Sequence, residues 1–213
     1  RGRLPGLSDR LGVRVRTNSE AILGAQTLGP VGTDYSQGLA ITSSIHPDER
    51  THIEPVRYPR GSNAMGLLST VLVDGGGRVP RQVRFAAAVA RRPVAFLRSL
   101  SVRRWSERSL ILLVMQSHDN SLTLRWRARR NGRVRLSSEQ GEGAPNPSYL
   151  PVANDAARRA AAIMGGVPAS ALNEVLLDVP ATAHILGGAC IGEGPATGVV
   201  DAYQRVFGCP GLH

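Results

Sequence analysis

The chain has 213 residues, 42% of them hydrophobic. That is enough for one large domain or one and a half, and no apolar run reaches the ~18 residues of a membrane span. A formal charge of +10 raises nucleic acid as a partner. However, all 26 basic residues are arginine, which fits a GC-rich coding bias, and aromatics, at 4%, leave few stacking platforms, so nucleic-acid binding is set aside.

Residues 1–12 are expected to form a short helix, with Pro5 near its start and Gly12 as its stop. Val13 and Val15 alternate with Arg14 and Arg16, a strand pattern. Thr17, Asn18, Ser19 and Glu20 bond readily to nearby backbone and predict a cap or turn before residues 21–23. Residues 29–38 are a glycine-rich loop. Leu39, Ile41 and Ile45 suggest a strand ending at His46-Pro47. Residues 51–58 read as another strand, with Thr51 and Ile53 on one side and His52 and Glu54 on the other. Pro55 argues for an edge or a bulge. From the residues alone, Glu54 is a surface carboxylate or an ion-pair partner of Arg50 or Arg57.

Residues 61–72 are apolar and bounded by glycine, with Asn63 and Met65 inside. Asp74-Gly75-Gly76-Gly77 is a turn, because no G-x-x-x-x-G-K-[ST] phosphate loop is present. Residues 79–100 have helical spacing. Val83, Ala86, Ala87, Ala90, Val94 and Leu97 fall on one face, and Arg91, Arg92, Arg98, Arg103 and Arg104 on the other. Pro93 kinks this helix or starts a second. The arginine face reads as solvated, and transient contact with an anionic membrane surface is the sharper alternative.

Residues 110–116 are a continuous apolar run, a buried strand, and residues 117–120 turn. His118 and Asp119 are adjacent at a strand end and would not face each other as a catalytic pair. Leu122, Leu124, Trp126 and Ala128, then Val134 and Leu136, alternate with polar residues around Asn131-Gly132. This predicts a hairpin with one packed face and one arginine face. Residues 139–151 form a loop. Residues 154–164 read as a helix capped by Asn154 and stopped by Gly165-Gly166, and residues 168–177 as a further short helix. Strands and helices in runs, rather than alternating, make the fold class α+β. Cys190 and Cys209 form no disulfide framework and lack a close Cys-x-x-Cys pair, so unpaired thiols and no metal site are expected.

The densest stretch is 180–213. His184 is followed by Gly187-Gly188, a second loop over 192–198, and then Asp201, Tyr203, Arg205, Val206 and Gly208. Taken alone, a histidine beside two glycines is a loop residue. The stretch resembles the C-terminal signature of the glucose–methanol–choline (GMC) flavin oxidoreductases, most closely their actinobacterial cholesterol-oxidase-like branch. Segments 1–20, 38–58, 61–68 and 113–123 resemble the same branch in the same order.

The resemblance implies an FAD-dependent enzyme that oxidises a 3β-hydroxysteroid such as cholesterol, or another bulky apolar alcohol, with ketosteroid isomerisation as a companion activity. Oxygen or another electron acceptor would complete the cycle. By the same resemblance His184 would hydrogen-bond the substrate hydroxyl and help remove its proton, and Glu54 would be the base for isomerisation. Gly187 and Gly188 would let the backbone approach the cofactor. It implies an antiparallel-sheet substrate-binding domain with helices over 35–196. Residues 1–34 and 197–213 would be edge pieces of a Rossmann-type FAD-binding domain. No G-x-G-x-x-G and no Gly-x-Asn-Pro segment occurs, so an internal fragment, inactive alone, is expected. The compartment stays open between bacterial cytoplasm and cell envelope. The alternative is a non-catalytic binding module for a hydrophobic ligand or a membrane surface.

Overall fold

A computed structural model describes residues 4–180, 182 and 184–213. The chain divides into two units. One comprises Ser19–His118 and Pro147–Thr182, the other Arg1–Asn18, Asp119–Asn146 and Ala183–His213. Each is built on its own antiparallel sheet, as the α+β pattern predicts.

In the larger unit β2 (Ser19–Gln26) and β6 (Ser109–Gln116) form the middle of a six-stranded sheet. They pair along their whole lengths, from Ser19↔Gln116 to Gln26↔Ser109. On the β6 side lie β4 (Thr51–Val56) and then β3 (Ile45–Asp48); on the β2 side lie β9 (Val167–Ala171) and then β5 (Ser69–Val71). Because side chains alternate along a strand, the sheet has two distinct faces. Ala21, Leu23, Ile53, Leu112 and Val114 point to one face and are buried with Leu150, Ala153 and Ala157 of α4 (Pro151–Met164) and its N-cap. The opposite face is overlaid by a short 3-10 helix (Ala64–Leu68), α3 (Trp105–Arg108) and α5 (Leu172–Leu177). The helices α1 (Arg81–Arg91) and α2 (Pro93–Ser99) are separated at Pro93, with Phe85 and Phe96 meeting edge to face at 5.9 Å.

The smaller unit holds a four-stranded sheet in the order β10 (Leu186–Gly187), β1 (Val15–Arg16), β7 (Leu122–Ala128), β8 (Val134–Gln140).

Several sequence expectations are corrected. Ser19 and Glu20 do not cap a helix. They open β2, because Ala21, Leu23 and Ala25 alternate toward the core and the small residues allow close pairing on both sides. Of the helix expected over 1–12, residues 1–3 lie outside the described residues, and 4–12 form turns closed by Leu7 N–H to Leu4 C=O and Leu11 N–H to Ser8 C=O. A Cβ on Gly6 would lie 2.3 Å from the Gly208 carbonyl oxygen, so that backbone contact fixes the path instead.

Pro47 lies within β3 rather than ending a strand, which an outermost strand with one neighbour allows. Residues 168–171 extend as β9, paired on both sides, and helix begins only at Leu172. The helix α4 starts at Pro151, where proline's missing N–H costs nothing. Asn154 is therefore inside the helix, buried, and donates to Asp74 Oδ1 at 2.7 Å. The β7–β8 hairpin closes through Gly132 N–H to Arg129 C=O (3.0 Å) with Gly132 at φ +73°, a longer loop than a two-residue Asn-Gly turn. Its apolar face is not packed toward the tip, where Trp126 and its cross-strand partner Leu136 are exposed. The supporting strand β1 reaches β7 only at Val15↔Leu122. Among the described residues no helix is long and apolar enough to cross a membrane.

Candidate functional site

The open face of the larger sheet carries a cavity of about 370 Å³. Ile22, Gly24 and Gln26 of β2 and Ile111 of β6 form its floor. Met65, Leu68, Trp105, Leu172 and Leu176 form its walls. The 3-10 helix is brought onto the indole by Gly66, where a Cβ would lie 2.8 Å from Trp105 Cδ1. Asn63 fixes the start of α3 by accepting hydrogen bonds from the Ser106 backbone N–H and hydroxyl, both at 3.0 Å. The residues singled out in 61–68 therefore serve to place Trp105.

Glu54 lies on the cavity side of the sheet. It pairs with Leu113, which pairs with Ile22 in the cavity floor. Two strand spacings, ~10 Å, separate the backbones of Glu54 and Ile22 along that row. Among the described contacts it meets neither Arg50 nor Arg57 but His52, whose Nε2 lies 3.4 Å from Glu54 Oε1. The His52 ring stacks on His46 at 4.7 Å and its Nε2 lies 2.7 Å from Ser44 Oγ.

His184 lies in the smaller unit, exposed, with φ +23°. The Asn18 carboxamide lies 3.2 Å from its Nδ1, which orients the ring. Leu186 and Gly187 follow as β10, paired with Arg16 and Val15. Gly187 and Gly188 have φ +87° and +80°. A Cβ on Gly187 would lie 2.3 Å from the Arg14 carbonyl oxygen and one on Gly188 2.9 Å from Val15 Cγ2. The glycine pair is thus required by close pairing with β1, while Ile185 and Leu186, between it and His184, are exposed. His118 contacts Gln116 Oε1 (3.0 Å), whereas Asp119 pairs with Arg16, so the two adjacent residues do not act on each other.

No family model matches the chain. All of it aligns, at 51% identity over 219 residues, with proteins named cholesterol oxidase from two strains of Mycobacterium tuberculosis, CDC 1551 / Oshkosh and H37Rv. The whole chain is thus similar in sequence to part of each of these proteins. A cholesterol oxidase of Acinetobacter baumannii is 42% identical over 217 residues, again across the whole chain. The chain spans 38% of the length of these curated relatives.

The Asp-x-Tyr-x-Arg run that carried the resemblance is a self-closed loop. Asp201 accepts from the backbone N–H groups of Tyr203 (2.8 Å) and Arg205 (3.0 Å) and from Arg205 Nε (2.6 Å). The Arg205 guanidinium then covers the Tyr203 ring at 5.1 Å. Sequence reasoning missed a second feature, the buried pair Arg81 and Glu174, 3.8 Å apart at closest approach. Arg81 donates to the carbonyls of Val73, Ser148 and Glu174, tying α1 to α5. Glu174 accepts from the Ile22 N–H (3.1 Å), directly behind the cavity floor, and from Ser170 Oγ (3.2 Å). Burial pushes its carboxyl up to about 6, against those hydrogen bonds and the Arg81 charge. Nothing in the sequence around a lone acid on a six-residue helix announces this role. Cys190 and Cys209 are free thiols. Among the described residues no three His, Cys, Asp or Glu side chains are grouped to hold a metal.

Proposed function

We propose that this chain is the substrate-binding portion of an FAD-dependent alcohol oxidase or dehydrogenase acting on 3β-hydroxysteroids such as cholesterol. The observation that carries the reading is an apolar cavity of about 370 Å³ in a chain 51% identical to proteins named cholesterol oxidase. A wall of leucine, isoleucine and methionine suits a rigid hydrocarbon skeleton, which gains roughly 25 cal/mol for each Å² it removes from water.

When bound, FAD would supply the hydride acceptor, and oxygen or another acceptor would reoxidise it. Gly187 and Gly188, three and four residues after the exposed His184, would be where the backbone comes near the cofactor's ring system. No G-x-G-x-x-G lies within the 213 residues, so this chain would supply only the margin of the flavin site, with 1–34 and 197–213 as edge pieces of the Rossmann-type domain and 35–196 binding substrate. His184, held through Nδ1 by Asn18, would address the substrate oxygen with Nε2 and assist its deprotonation. Glu54, on the cavity face, would carry the proton in isomerisation. Contact with a membrane surface forms no part of the proposal.

The test uses the full-length protein. His184→Ala should lower turnover of cholesterol at least about 100-fold with flavin content unchanged; wild-type turnover would remove His184 from the chemistry. Glu54→Gln should lower isomerisation far more than oxidation. Equal loss of both would argue against a dedicated base. The rival reading, a hydrophobic-ligand module without redox chemistry, shares the cavity but predicts a full-length protein with no flavin absorbance.

A further inference from the structure

Four polar side chains gather on one patch of the larger sheet, and three of them have no part in the chemistry proposed above. Ile45 pairs with Ile53, and side chains alternate along each strand, so Ser44 and His46 on one side of the pairing share a face with His52 and Glu54 on the other. It is the cavity face, because Ile53 points to the opposite side and is buried against α4. The His52 ring is fixed twice. It stacks on His46 at 4.7 Å with 8° between the planes, and its Nε2 lies 2.7 Å from Ser44 Oγ. From that position Nε2 faces Glu54 Oε1 at 3.4 Å. Across the sheet from this pair, β6 presents Met115 and Leu113, which bring no charge. The His52 and Glu54 side chains are 36% and 22% exposed, so both can be reached from solvent.

We infer that His52 is a positioning residue for Glu54: its imidazole holds Oε1 and leaves Oε2 to carry the proton of isomerisation. The inference rests on reading Glu54 as the base of that step. Shifting a double bond into conjugation with a ketone moves one proton. It leaves the carbon between the carbonyl and the alkene, its electron pair forms a dienolate, and the proton returns at the far alkene carbon. A carboxylate that does both is charged, then protonated, then charged again, and keeps one oxygen over the substrate throughout. The partner suits that demand. Asp34, Asp74, Glu139 and Asp201 each meet an arginine. A guanidinium is always charged and opposes protonation of its partner at every stage. An imidazole exchanges its charge readily, and its N–H can donate to a carboxylate. At 3.4 Å the contact is looser than a well-made hydrogen bond, so it orients Oε1 without tying up the group. His52 touches no reacting atom.

The experiment follows conversion of cholest-5-en-3-one to its conjugated isomer by full-length protein, a step that needs no redox turnover. His52→Leu should lower kcat about tenfold, the worth of one hydrogen bond to a charged group, with KM within about twofold. His52→Gln, whose amide can still donate to Oε1, should recover most of that loss. In a Glu54→Gln background His52→Leu should lower the rate no further, because a residue that acts through Glu54 loses its effect with it. A structural role would instead give additive losses, a lower Tm and no recovery with glutamine. Additive losses, or a kcat unchanged in His52→Leu, would overturn the inference and leave Glu54 as the base. Wild-type isomerisation by Glu54→Gln, or none by the unaltered protein, would overturn the reading of Glu54 and the inference with it.

Discussion

At Glu174 burial and polar contacts pull in opposite directions, and burial prevails. The folded protein holds its carboxyl proton up to about pH 6, against the ordinary glutamate value of 4.5. Between those values the folded chain retains a proton that the unfolded chain has released. Stability is therefore highest below pH 4.5 as far as this group is concerned, and it falls as pH rises through 6, by about 2 kcal/mol in all. Glu174→Gln keeps the shape and can still accept from Ile22 N–H, but it does not titrate. Urea midpoints at pH 4, 5, 6 and 7 should therefore show a shallower decline in the variant. Parallel slopes in the two proteins would mean that Glu174 titrates as an ordinary carboxylate. At this scale legibility followed periodicity. Alternation in 51–56 separates Glu54 and His52 from Thr51 and Ile53, and the sheet bears that out. Glu174 and Arg81 could not be read, because their significance lies in a contact across 93 positions of sequence.

Among the elements, α4 shows how little side chain is needed to seal a sheet. Ala153, Ala157 and Ala161 recur every four residues and are buried against the strands. Methyl groups let the helix lie close over β2, and a larger side chain there has nowhere to go. Ala157→Leu should therefore cost about 1–3 kcal/mol in chemical denaturation, while Ala162→Leu, on the exposed side of the same helix, should stay within about 0.5 kcal/mol. Equal effects would show that the α4 interface is loosely packed. Helices and hairpins with strong local signals were legible: the break at Pro93, the stop at Gly165 in the left-handed region, and the alternation from Leu122 onward. The strand β2 was not, because SEAILGAQ carries small and polar residues with no β-branched run, and its strand character comes from partners on both sides. The cavity was hidden for the same reason. Its lining comes from strands, a 3-10 helix and two short helices far apart in sequence, and only pairing register brings Gln26 opposite Ser109.

For the whole molecule, the question is what these 213 residues can hold by themselves. The larger unit carries its cavity entirely on its own residues, with the floor, walls and buried Arg81–Glu174 tie all inside Ser19–His118 and Pro147–Thr182. A dinucleotide is held differently. Its pyrophosphate needs a strand, a glycine turn and a helix N-terminus in succession, so that backbone N–H groups converge on the charge. The named strands of this chain pair only antiparallel, and its sequence offers no G-x-G-x-x-G to open such a helix. The surplus of arginine does not replace it, since many guanidinium groups already meet carboxylates, as Arg60 does Asp34 (2.8 Å) and Arg205 does Asp201 (2.6 Å). The 213-residue chain, purified and mixed with FAD, should therefore elute from gel filtration without flavin absorbance, while the full-length protein should retain it. A yellow, stoichiometric complex from the chain alone would mean that the two units make a flavin site unaided, and the assignment of 1–34 and 197–213 to the margin of a larger flavin domain would have to be abandoned.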